Sequence, residues 1–143
     1  MAHDLSTEID IDAPPARVWA ILTDLGAYSA WNPFITESTG VAVVGARLVN
    51  RLEPPGGRAM TFRPVVTEVV DERSFEWLGR FGVPRLFDGR HRFDLTPTQR
   101  GTRLRHTERF TGLLVPLLRR QLDTSTRAGF EAMNRALAGR AEG

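Results

Sequence analysis

The chain changes its hydrophobic period once, and that change limits what it can fold into. From about residue 34 to residue 110 apolar side chains recur at every second position in short runs; from Pro116 to Ala138 they recur three and four apart. A period of two belongs to half-buried strands, and a period near 3.6 to a helix with one apolar stripe. Strands are expected at 34–42, 46–53, 59–70, 74–81, 85–96 and 101–110. The breaks between them are Gly45, Pro54-Pro55-Gly56-Gly57, Asp71-Glu72, Gly82-Val83-Pro84 and Pro97-Thr98-Gln99-Arg100. Connections this short favour antiparallel neighbours. Ahead of them, 5–12 alternates as a first strand, and Asp12-Ala13-Pro14-Pro15 starts a helix that runs to about Leu25. The expected fold is therefore α+β, an antiparallel sheet of about seven strands wrapped around a long C-terminal helix, with short helices after the first strand.

Residues 1–143 read as a single domain, long enough to bury a core without a disulfide or metal. There is no cysteine, so thiol chemistry and thiolate metal sites are excluded. All 19 basic residues are arginine, against 17 acidic ones, for a net charge of +2. That balance argues against nucleic acid as a partner, since a nucleic-acid protein carries a basic stripe without compensating acids. No apolar run approaches the ~20 residues of a membrane span, and the first residues lack a basic start followed by an apolar stretch. The expectation is a cytoplasmic, unprocessed protein without membrane insertion. Oligomeric state, a homodimer included, is left open.

Three polar side chains fall where hydrophobes belong. In 86–95 one face carries Phe87, Gly89, His91, Phe93 and Leu95; in 102–110 one face carries Thr102, Leu104, His106, Glu108 and Phe110. Ionisable groups on an inward face must be paired, hydrated or used. If opposed residues of the two runs sum to 197, His91 faces His106 and Gly89 faces Glu108. On the other face Asp94 then meets Arg103 and Asp88 meets Arg109, leaving Arg90, Arg92 and Arg105 as a small basic patch. A two-residue shift would set His91 opposite Glu108 and keep all three polar groups together.

The residues Ile11-Asp12-Ala13-Pro14, Arg17-Val18-Trp19, Trp31-Asn32-Pro33-Phe34, Phe87-Asp88-Gly89 and His91-Arg92-Phe93 resemble the START-related helix-grip (SRPBCC) superfamily, in its bacterial polyketide cyclase/dehydrase-like branch. The resemblance covers nearly the whole chain. It implies a helix-grip fold, a curved antiparallel sheet gripping the last helix around a deep apolar cavity. It implies no particular activity, because the superfamily holds lipid carriers, receptors and cyclases, and no catalytic residue is transferred by it.

Within such a cavity, His91, His106 and Glu108 are the candidate catalytic groups, able to move protons on a carbonyl compound. Two imidazoles and a carboxylate also suit a metal ion, but no metal or other cofactor is expected. The candidate ligand-binding residues are Met60, Phe62, Trp77, Gly79, Phe87, Phe93, Ser125, Gly129 and Met133. Ser125 and Gly129 are small residues in the middle of the helical stripe, and together with Gly79 and Gly89 they predict a void between helix and sheet. Asn50 is a further candidate inward polar group, and the Pro54–Gly57 turn a candidate border of the mouth. The expected partner is a small hydrophobic or aromatic molecule. The expected role is to bind it, or to act on a polyketide-like substrate as a cyclase, dehydratase or isomerase.

Overall fold

The computed structural model describes residues 2–143. Strand β1 (Ala2–Ile11) turns Leu5, Thr7 and Ile11 inward. Helix α1 (Pro15–Thr23) starts at proline, whose fixed φ suits a first turn and whose missing N–H costs nothing there. A 3-10 segment, Leu25–Ala30, follows. The Asn32 side-chain oxygen then accepts the N–H groups of Phe34 and Ile35, each at 2.9 Å, and aims the chain into β2 (Ile35–Thr39).

Strand β2 pairs with β3 (Val49–Leu52) and β3 with β4 (Met60–Phe62), making a small antiparallel sheet. Strands β5 (Val65–Val70), β6 (Ser74–Arg80), β7 (Asp88–Pro97) and β8 (Thr102–Thr111) form a meander, and β1 joins beside β8, giving the order β1-β8-β7-β6-β5. The run 59–70, expected as one strand, divides at Arg63-Pro64, so the described residues form eight strands in two sheets. Proline has no ladder donor to give, which is why a continuous strand ends there. The sheets stay tied at this corner through Leu48 N–H to Pro64 O at 2.8 Å and Val66 N–H to Ala46 O at 2.9 Å.

Strands β7 and β8 pair in the shifted register, with His91 opposite Glu108, Phe93 opposite His106 and Gly89 opposite Phe110. The connecting loop is Thr98–Gly101, closed by Thr98 N–H to Gly101 O at 2.9 Å. The ion pairs that favoured a sum of 197 do not form. Arg103 reaches Asp10 at 2.9 Å and Arg109 reaches Asp4 at 3.2 Å, both on the neighbouring β1. Nor are Arg90 and Arg92 left over: both bind Glu76, at 2.9 and 3.1 Å. Burial alone would raise the Glu76 carboxyl pKa, but hydrogen bonds from Arg90, Thr67 and Arg92 hold it below the usual range.

The C-terminal helix is continuous from Val115 but not uniform. It comprises α2 (Val115–Gln121), one π turn over Leu122–Thr126, and α3 (Arg127–Glu142). The Thr124 hydroxyl donates to the Arg120 carbonyl at 2.8 Å, a side-chain bond of the kind that bends a helix. The wider turn resets the phase. Phe130, Met133, Asn134, Leu137, Ala138 and Ala141 are the buried face of α3, while Ser125 sits at the edge and donates to the Pro55 carbonyl at 2.9 Å. The stripe expected through Leu118, Leu122, Ser125, Gly129, Met133 and Ala136 therefore breaks at Ser125.

Candidate functional site

Between the small sheet, the inner face of the large sheet and α2 lies a cavity of about 640 Å³. Its side walls are apolar: Leu52, Met60 and Phe62 on the small sheet, Trp77 and Phe87 on the large one, Leu114, Leu118 and Leu122 on the helix. Its inner wall carries His91 and Glu108. Asn50 also faces it, held by the Ser38 hydroxyl at 2.6 Å. Pro54 and Arg58 reach it from the loop before β4, so this hairpin tip does border the cavity. Phe81, which lines the cavity, is half-exposed, and Val83, Leu113 and Leu117 are further exposed apolar side chains that the charged pattern of the outer strands did not announce.

Of the expected residues, Met60, Phe62, Trp77, Gly79, Phe87, His91 and Glu108 line this space, and five do not. Phe93, Met133 and His106 are fully buried behind the wall. Ser125 is turned out by the π turn and bonded to Pro55. Gly129 is small for a different reason than a void: a Cβ there would run into the Phe34 ring, so helix and aromatic are already in contact. The space beside the helix opens further toward its N-terminal end, along α2.

The three polar groups meet as the sequence suggested, and they extend into a longer chain. Glu108 Oε1 lies 3.1 Å from His91 Nδ1, and His91 Nε2 lies 2.7 Å from His106 Nε2. His106 Nδ1 lies 2.8 Å from Asn134 Oδ1, and the Asn134 amide donates to Thr7 Oγ1 at 2.9 Å. The Thr7 hydroxyl ends the chain on the His106 carbonyl, also at 2.9 Å. Asn134 and Thr7 were missed. The signal was present, since Asn134 stands four residues after Phe130 on the buried side of α3, but phasing the helix from Leu118 placed it off the stripe. Thr7 alternates with Leu5 and Ile9 on β1 and reads as an ordinary strand residue.

Aromatic rings brace the imidazoles. His91 stacks on Trp77 at 4.8 Å between ring centres, and His106 lies parallel to Phe130 at 4.0 Å. Burial, reinforced by the neighbouring His91, pushes the His106 pKa well below the usual imidazole value, so this ring is neutral. The histidine nitrogens point at each other, at Glu108 and at Asn134 rather than at a common centre, and among the described residues no three metal-binding side chains converge. No helix among them is long and apolar enough to cross a membrane.

Comparison with known proteins places this geometry. A START superfamily protein from Mycobacterium smegmatis is 23% identical with a TM-score of 0.76, over 98% of this chain and 97% of that one. The Zhui aromatase/cyclase from a Streptomyces species superposes with a TM-score of 0.81 at 16% identity, over 99% of this chain and 94% of that one. A di-domain aromatase/cyclase of the steffimycin biosynthetic pathway gives the same TM-score and identity, with this chain spanning 51% of its length. At such identities the likeness concerns the fold. No curated protein sequence matches the chain. The family model described as polyketide cyclase/dehydrase and lipid transport matches residues 2–142, and the chain belongs to that family.

Proposed function

We propose that the protein encloses one small hydrophobic or aromatic molecule in the cavity beneath α2, with Glu108 and His91 as its polar anchor. The observation that carries this reading is the composition of the 640 Å³ space: mainly apolar walls, with a hydrogen-bonded carboxyl–imidazole pair, Asn50 and Arg58 among its few polar groups. That is the usual anatomy of a small-molecule site, where apolar area supplies affinity and a few polar groups fix orientation. Family membership supports a ligand-binding or cyclase role.

Native mass spectrometry of protein purified from its own host tests it. The native chain is expected to carry a bound molecule. Gly79→Phe, which fills the cavity at a position where a Cβ meets nothing closer than Pro64 at 3.8 Å, is expected to lose it while melting at the same temperature. The same molecule retained in that variant would overturn the reading.

A second reading is favoured by the Glu108–His91 contact: a cyclase, dehydratase or isomerase acting on a polyketide-like substrate. Here Glu108 exchanges protons with the substrate, His91 supplies or takes them through Nδ1, and His106, which does not reach the cavity, holds His91 from behind. Recovery of the enclosed compound chemically changed separates this reading from simple binding.

A further inference from the structure

The polar chain behind the cavity has only one direction, and that direction is set at a backbone carbonyl. The His106 carbonyl can only accept, so the single proton of the Thr7 hydroxyl is used there. Thr7 Oγ1 must then accept from Asn134, which places the amide nitrogen on the Thr7 side and the amide oxygen on the His106 side. That oxygen accepts, so His106 carries its proton on Nδ1. His106 is fully buried and neutral, which leaves Nε2 as a lone pair 2.7 Å from His91 Nε2. His91 must therefore donate from Nε2. Its Nδ1 faces Glu108 Oε1, and one proton lies between them, on either the nitrogen or the oxygen.

The consequence falls on the remaining oxygen. Whichever atom of that contact holds the shared proton, Oε2 has none. Oε2 lies over Gly89, in the space a Cβ would need, on the wall of the cavity, and no side chain or backbone group among the described residues bonds to it. The inner end of the cavity thus accepts one hydrogen bond through Oε2.

We infer that the site selects an apolar molecule whose inner end is a hydrogen-bond donor, an alcohol or phenol hydroxyl, bonded to Glu108 Oε2. This rests on the ligand-enclosing reading and narrows it: a ketone, an ether or a carboxylate at that end would set acceptor against acceptor. The unmet bond, not lost contact area, is what discriminates, because a buried acceptor left without a donor loses the bond it had to water.

The test uses a matched fluorescent pair, 1-pyrenol and 1-methoxypyrene, titrated into the native protein and into Glu108→Gln and Glu108→Leu. The native protein is expected to prefer the hydroxyl probe by about tenfold, the range of one hydrogen bond to a buried partner. Glu108→Gln is expected to keep the preference, because its amide N–H₂ can donate to the bare His91 Nδ1 and leave the amide oxygen facing the cavity. Glu108→Leu is expected to lose it. Nitrogen NMR of the imidazoles supplies a readout independent of any ligand, with His106 protonated at Nδ1 and His91 at Nε2. Equal binding of both probes to the native protein overturns the donor rule and leaves the ligand-enclosing reading standing. Binding of neither probe removes both. The preference surviving in Glu108→Leu, or His106 protonated at Nε2, also overturns the inference.

Discussion

Gly129 and Gly89 owe their size to a neighbour, and in each case the neighbour belongs to the site. At Gly89 the missing Cβ is the room into which Glu108 Oε2 folds; at Gly129 it is the room taken by Phe34, whose ring also packs against Phe130 at 5.6 Å. Overpacking a filled core costs about 1–3 kcal/mol. Gly129→Ala is accordingly expected to lower stability by that amount in urea unfolding, and to displace the Phe34 ring, which lines the cavity. His106 sets a pH dependence. Its folded pKa is well below the value near 6.5 of the unfolded chain, so below about pH 6.5 the unfolded state binds a proton that the native state refuses. Stability is expected to fall as pH drops from 7 through 6.5 toward the folded pKa. His106→Phe, weaker at pH 7, is expected to lack that component. A midpoint in urea independent of pH between 7 and 5.5 in the native protein would contradict this.

At the scale of elements, the π turn clocks the two halves of the last helix independently. Each residue advances an α-helix by about 100°, so deleting Thr124 and restoring a regular ladder would rotate α3 against α2 by about that angle. Asn134 could then not face His106 while Leu118 faces the cavity. The deletion is expected to abolish probe binding or to melt well below the native protein, read by fluorescence titration and thermal unfolding. This turn also marks the limit of what the residues disclosed in advance. The period change at Pro116 revealed the helix, and the alternation around His91 and Glu108 revealed which side they share. Neither shows an inserted residue of phase, because a π turn leaves no mark in local periodicity. The β7–β8 register failed for a related reason. Asp94 and Asp88 were offered as partners for Arg103 and Arg109, whereas the real partners, Asp10 and Asp4, stand on a strand about a hundred residues away whose place in the sheet local pattern does not encode.

Across the whole molecule, distant parts of the chain close on one another. Strand β1 completes the large sheet against β8, and the Arg17 guanidinium donates to the carbonyls of Ala141 and Arg140 at the end of α3. The wall of the cavity could be named from sequence because it lies on consecutive strands; the chain that supports it could not, because Thr7 and Asn134 come together only through this closure. Folds dominated by such long-range pairings assemble slowly, since loop-closure entropy is spent before the contacts that reward it exist. Thr7 and Asn134 are separated by 127 positions, yet one bond joins them. A growing polypeptide on the ribosome thus holds β7 and β8 well before it holds a working imidazole pair, and the orientation of His91 becomes defined only when the final helix has been made and has docked.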